Sequence, residues 1–147
     1  MQQNSKLTFE ELVNSEYLNG FDEPKRAIAA AAVLGLTLEE TAELKEERED
    51  FYGVYVYKYS YGRSEVIVMT DDEADEANES YAEYSYDELI EPYINRIDPL
   101  MSEAFNKEAF LLAVELDGRG TNLSRWDSKE HEQEVDDEYF YVYKQNM

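Results

Sequence analysis

Asp72, Glu76, Glu79, Glu83, Asp87 and Glu91 recur at intervals of 4, 3, 4, 4 and 4 residues. On an α-helix that spacing sets all six carboxylates close to one line. The stretch around them, DDEADEANESYAEYSYDELIE from Asp71 to Glu91, holds ten acids and no lysine or arginine. Like charges four residues apart on a helix each cost about 0.2–0.5 kcal/mol. The helix dipole favours acids only in the first turn, here Asp71 to Glu73. Local stability therefore does not account for the rest of the row. Fixed anions in a line can meet a basic surface, whereas clustered carboxylates can hold Mg²⁺ or act as a catalytic pair. The plain alternative is a solvated helix face.

As an imitation of a phosphate backbone the row is sparse. It spans about 28 Å, with one charge per about 6 Å, whereas a DNA duplex carries one charge per about 1.7 Å of axis. A second acidic surface is needed. Glu130, Glu132, Glu134, Asp136, Asp137 and Glu138 supply one candidate, and the acids from Glu39 to Asp50 supply another. The six helical acids and the six near the C-terminus are the expected partner-binding residues. Whether they align is a matter of fold.

The remaining reactive residues are few. His131 lies in KEHEQE, and with no cysteine the chain offers few nucleophile–base arrangements. No EF-hand loop, P-loop or dinucleotide fingerprint is present. In DGRGTNLSRWD, Arg119 and Arg125 could clamp an anion, but pairing with neighbouring acids is the expectation. Trp126 is expected to anchor this loop on the body. No catalytic residue, metal ligand or cofactor is assigned.

Thirty-five acids against thirteen bases give a net charge of −22. A small domain needs a magnitude of only about 2–8 for solubility, and more is self-repulsive. That balance argues against direct contact with nucleic acid or an anionic membrane and favours a basic nucleic-acid-binding protein as partner. Nothing approaches the apolar run of about 18 residues that a membrane span requires. MQQNSKLTFE lacks the apolar core of a secretory signal. A cytoplasmic location is the expectation.

The elements that must position these groups read as α+β. Residues 1–50 carry helix signals: Thr8 and Glu11 at capping-box spacing with Gly20 as a stop, Pro24 in a first turn, and a second capping box from Thr37 to Glu40. AAVLGLTLEETAEL superficially resembles a helix-turn-helix, but its second helix, read as running to Asp50, is acidic where DNA contact needs bases. FYGVYVYKYS and SEVIVMT read as a hairpin turning at Tyr61-Gly62-Arg63, and YFYVYK as a further strand. Alternation puts Tyr55, Tyr57 and Tyr59 on one face of their strand, and Tyr139, Tyr141 and Tyr143 on one face of theirs. Both fit one sheet with a single Tyr face. After Thr70 the chain reads as helix, with Ala74, Ala77, Tyr81 and Tyr84 as its buried stripe and Ile97 ending an apolar pattern. Pro92 and Pro99 should divide it. NKEAFLLAVEL suits either helix or strand, and DGRGTNLSRWDSKEHEQEVDDE reads as loop. The expected architecture is an N-terminal helical unit, residues 1–50, and an α+β domain, residues 51–147, or one continuous domain. A sheet of about three or four antiparallel strands would pack with the acidic helix.

TDDEADEA directly after a strand, ELDGRGTNLSRWDSKEHE and the terminal YFYVYKQN resemble the pattern of a group of small acidic phage, prophage and plasmid proteins. The resemblance covers roughly residues 64–146. It implies an origin in a mobile element and assigns no catalytic residue. By composition alone the chain is similar to anti-restriction and anti-CRISPR inhibitors that occupy DNA-binding grooves. The expected function is accordingly an acidic DNA mimic that blocks the nucleic-acid channel of a bacterial defence complex. The alternatives are a regulatory protein binding a host factor through its Tyr face, and a metal-dependent hydrolase.

Overall fold

The computed structural model describes residues 9–97 and 105–147. In chain order the elements are α1 (Phe9–Val13), α2 (Pro24–Leu34), α3 (Leu38–Thr41), β1 (Lys45–Phe51), β2 (Val54–Tyr61), β3 (Ser64–Met69) and α4 (Asp71–Ser85). A π-helical turn (Tyr86–Ile90) leads into α5 (Glu91–Ile97), and α6 (Lys107–Leu116), α7 (Arg119–Leu123), β4 (His131–Val135) and β5 (Glu138–Asn146) follow. The fold is α+β: one antiparallel sheet of five strands, ordered β1-β2-β3-β5-β4, with helices on both faces. β1 crosses position 50, and α2 shares a core with the sheet.

On one face the alanine-rich α2 lies on Tyr59, Val66, Val68, Phe140 and Val142. Its small side chains leave room for aromatic rings beneath. On the other face Ala74 and Ala77 of α4 and Leu123 of α7 cover Phe51, Val56, Ile67, Met69 and Tyr143.

Register divides the tyrosines. Tyr57 pairs with Val68 and Val68 with Val142, so the β2 tyrosines share the α2 side with Phe140 and Val142. Tyr143 pairs with Ile67 and Tyr141 with Met69, which puts the β5 tyrosines on the α4 side. The single Tyr face expected from alternation is therefore not formed. Each strand alternates as read, but the pairing offset is odd, and one residue of register exchanges the faces. Tyr59 and Tyr143 are fully buried. Burial, and then hydrogen bonds to Glu46 and Glu130 respectively, hold both phenols far above their ordinary pKa.

Two edge strands were not legible as such. The capping box Thr37–Glu40 forms, but α3 is a single turn and not a helix running to Asp50, so the helix-turn-helix resemblance fails. From Lys45 the chain is β1, a charged edge strand of the kind that resists edge-to-edge aggregation. Three of its acids contribute to the fold. Glu46 accepts the N–H groups of Asp22 and Glu23 at 2.7 and 3.1 Å, capping α2 from a distance, and the Tyr59 hydroxyl at 2.6 Å. Glu47 and Glu49 lie 3.7 and 3.1 Å from Lys58. The second edge, β4, and the short α7 replace the loop expected from DGRG to DDE. β4 turns into β5 through Asp136-Asp137, both at positive φ, a conformation short Asp side chains tolerate. NKEAFLLAVEL is helical as α6. The helix from Asp71 reaches Ile97 without a break at Pro92, and Pro99 and the Thr8 capping box lie outside the described residues.

Arg26 joins the two helical layers past the end of the sheet. Its side chain is buried, donating to Val68 O at 3.0 Å and to both carboxylate oxygens of Glu73 at 2.6 and 3.1 Å. Glu73 also accepts the Thr70 N–H at 2.8 Å in the capping box that starts α4. Burial opposes its ionisation, but the guanidinium and the Thr70 N–H outweigh it and keep its pKa below the carboxylate range. Arg26→Ala should destabilise the protein by about 2–3 kcal/mol in urea unfolding, less than the ~3–5 kcal/mol of breaking a fully buried pair because Glu73 is half-exposed. A loss under about 1 kcal/mol would contradict this role.

Candidate acidic interface

α4 starts at the Thr70–Glu73 capping box and buries Ala74, Ala77, Asn78, Ala82 and Ser85. Tyr81 is only half-buried and Tyr84 exposed, so the stripe runs further round the helix than expected. The reason is tertiary: α6 and α7 pack beside the sheet. Asn78 donates to Glu115 O at 3.3 Å, and Asn122 donates to Asn78 Oδ1 at 2.7 Å. At the far side the β1–β2 turn rests on α4. Tyr52, at φ 54°, stacks against Tyr81 and Tyr84 with ring centroids 4.9 Å away.

This packing leaves Asp72, Glu76, Glu79, Glu83, Asp87 and Glu91 exposed to solvent, as the spacing predicts. Glu76, Glu79, Glu83, Asp87, Glu88 and Glu115 line an open groove of about 640 Å³ between α4 and α6, with Tyr52 and Tyr84 also in its wall. The row is not wholly unpaired. Lys107, at the start of α6, lies 3.3 Å from Glu83 and 3.7 Å from Asp87 and covers the Tyr86 ring. Asp72, Glu76, Glu79 and Glu91 carry no ion pair among the described residues.

The C-terminal acids divide into two groups. Glu130 accepts from Arg119 Nε at 2.7 Å and from the buried Tyr143 hydroxyl. Asp136 and Glu138 pair with Lys25 at the N-terminus of α2. These three remain exposed but are already engaged within the chain. Glu132 and Glu134 alternate outward on the α4 side of β4, and Glu132 accepts from the Tyr141 hydroxyl at 3.1 Å. With Asp137 they are exposed. The acids of β1 stand at the opposite edge of the sheet.

Arg119 brings the helix and β4 acids together. Its Nη1 lies 2.8 Å from Asp71 and 3.0 Å from Asp75, while its Nε meets Glu130. One guanidinium thus ties the first turns of α4 to the entry of β4. Asp71 and Asp75 lie beside the row, and Glu130 is one residue before β4, which carries Glu132 and Glu134. Sequence reasoning missed this joint, although expecting Arg119 to pair with acids pointed toward it.

The rest of the glycine-rich segment is architecture. Gly118 starts α7 at φ 98°. A Cβ on Gly120 would lie 2.9 Å from Glu130 N and Ser128 O, because the following loop folds directly over it. Arg125 covers the Phe51 and Tyr52 rings at 5.3 and 5.5 Å. Trp126 is 56% exposed, contrary to its expected role as the anchor, which buried Leu123 fills instead. Asp127 Oδ2 meets His131 Nε2 at 2.7 Å, and Oδ1 lies 2.8 Å from Ser124 Oγ and 3.1 Å from Lys129 N. The carboxylate sits between serine and histidine, whereas activating a nucleophile needs the histidine against the hydroxyl. Among the described residues no three or more His, Cys, Asp or Glu converge on a metal position, and no helix is long and apolar enough to cross a membrane.

No family model, curated protein or solved structure matches the chain.

Two outcomes test this architecture. Gly120→Ala should cost about 2 kcal/mol in urea unfolding through overpacking against backbone; a neutral change would mean the loop can lift. Asp127 has its pKa lowered from 3.8 to about 2: burial pushes it up, but hydrogen bonds from His131, Ser124 and the Lys129 N–H prevail. A depressed carboxylate stabilises the fold above its unfolded pKa and loses that contribution as pH falls through the folded one. The stability gap between the wild type and Asp127→Asn should therefore be full at pH 6 and close between about pH 4 and 2. A gap independent of pH would refute the assignment.

Proposed function

We propose that this protein is an inhibitory binding protein whose acidic face stands in for a nucleic-acid backbone in the basic groove of a partner. The observation that carries the reading is the exposed, largely unpaired row on α4, whose helix start Arg119 ties to the residue preceding β4. Charges fixed on a buttressed helix lose little freedom when they meet a cationic groove, and their field steers the encounter. The second acidic surface that one helical row requires is supplied by Glu132, Glu134 and Asp137. The resemblance to acidic proteins of phages and plasmids narrows the partner to a nucleic-acid-handling complex of bacterial defence, of the kind that anti-restriction and anti-CRISPR inhibitors block. The protein would then act in the bacterial cytoplasm.

Immobilised protein in bacterial lysate should retain a DNA- or RNA-handling protein that high salt releases and added duplex DNA displaces. The triple variant Asp72→Lys, Glu76→Lys, Glu79→Lys, none of which is buried or ion-paired among the described residues, should lower affinity for that protein at least about tenfold with an unchanged circular dichroism spectrum. Undiminished retention by the variant would move the working surface off α4.

A further inference from the structure

α6 is apolar on two sides, and only one of them is covered. Phe110, Leu111 and Val114 turn toward α4 and are half-buried, and not one residue of the helix is fully buried. The other side presents Ala109, Leu112, Ala113 and Leu116 to solvent, with Leu112 57% and Leu116 76% exposed. Their spacing of i, i+3, i+4 and i+7 is the stripe by which one helix seats another, and the alanines admit close approach. A continuous apolar stripe on a chain of net charge −22 is not needed for solubility and works against it.

We infer that this stripe docks an amphipathic helix of a partner protein, one with apolar residues at matching spacing and lysine or arginine along its flanks. The charge around the stripe selects that occupant. Glu108 and Glu115 stand seven residues apart immediately beside it, where flanking residues of a helix pair meet. Beyond Glu115 lies the groove with Glu83, Asp87 and Glu88. A second copy of this chain would bring the same acids into opposition across the seam, which like-charge repulsion disfavours. The seam is separate from the phosphate-like row: it recognises a helix by shape and apolar spacing, with charge setting only the flanks.

The probe is a fluorescent 18-residue helical peptide with leucine at the i, i+3, i+4, i+7 positions and lysine elsewhere. Its controls are a peptide with glutamate for lysine and one of the same composition with the leucines scrambled. Both lysine peptides are drawn to the acidic row, so the expected anisotropy result is that the first binds at least about tenfold more tightly than either control. The double variant Leu112→Ser, Leu116→Ser should bind it at least tenfold more weakly, with the same thermal midpoint because both side chains are already exposed. The inference is overturned if that variant binds as the wild type does, if the scrambled peptide binds equally, or if sedimentation finds a wild-type dimer that the double variant splits. The Asp72, Glu76, Glu79 reversal keeps both leucines, so a failed decoy reading and a failed seam give different patterns.

Discussion

Arg26 reaches from α2 past the end of β3 to Glu73, the residue that closes the first turn of α4. The two layers of the molecule depend on that contact, and it typifies a wider constraint. With thirteen bases for thirty-five acids, the chain cannot neutralise its surface and must choose where its cations go. Apart from Lys45, which pairs with Glu47 in its own strand, several of those with partners are placed at joints. Lys25 fastens the β4–β5 turn to α2, Lys58 gathers the acids of β1 and β3, Lys107 holds α6 to the π turn, and Arg119 joins α4 to β4. Exposed ion pairs each contribute little, but networks that bridge elements resist the self-repulsion that would open them.

That placement sorts the acids by role. Carboxylates at joints are committed to the fold: Glu46 caps α2 and receives a buried phenol, Glu73 starts α4, and Glu130 serves Arg119 and Tyr143. Of the acids left over, one set runs along the solvent side of α4 and another takes the outward positions of β4. Others, such as Glu16, Glu39, Asp50 and Asp117, are exposed elsewhere on the surface.

Much of this was legible in the sequence, and the misses share a physical cause. The helix over Asp71–Ser85 follows from an Ala/Tyr stripe and a row of acids with period near 3.6, both local properties. The β2–β3 hairpin follows equally from β-branched and aromatic residues around Tyr61-Gly62-Arg63. β1 was missed because KEERED has strong helix propensity and no apolar alternation. It is a strand only because β2 offers Lys58 and Tyr59 to its acids, and tertiary contacts override propensity. The Tyr face failed for a related reason. Alternation fixes sides within a strand, but which side meets which between β2 and β5 is set by register through β3. The joint at Arg119 needed the fold itself, since Asp71 and Asp75 lie 48 and 44 residues from it in sequence.

Pro92 shows how a residue read as a breaker serves the acidic row. Proline has no N–H and crowds the carbonyl four residues back, so an ideal α-helix cannot run through it undisturbed. Here the chain widens first: the Glu91 N–H bonds to Tyr86 O, five residues earlier, in the π turn Tyr86–Ile90. Steps of four residues on a 3.6-residue helix drift by about 40° each. The last three steps of the row, to Glu83, Asp87 and Glu91, would on an ideal helix carry it progressively around the surface. A wider turn subtracts from that drift. Consistent with this, Asp87 lines the same groove as Glu76, Glu79 and Glu83. The proline that threatens the helix thereby helps keep its charges aligned. An ideal helix through the same residues would carry Asp87 and Glu91 farther round the surface.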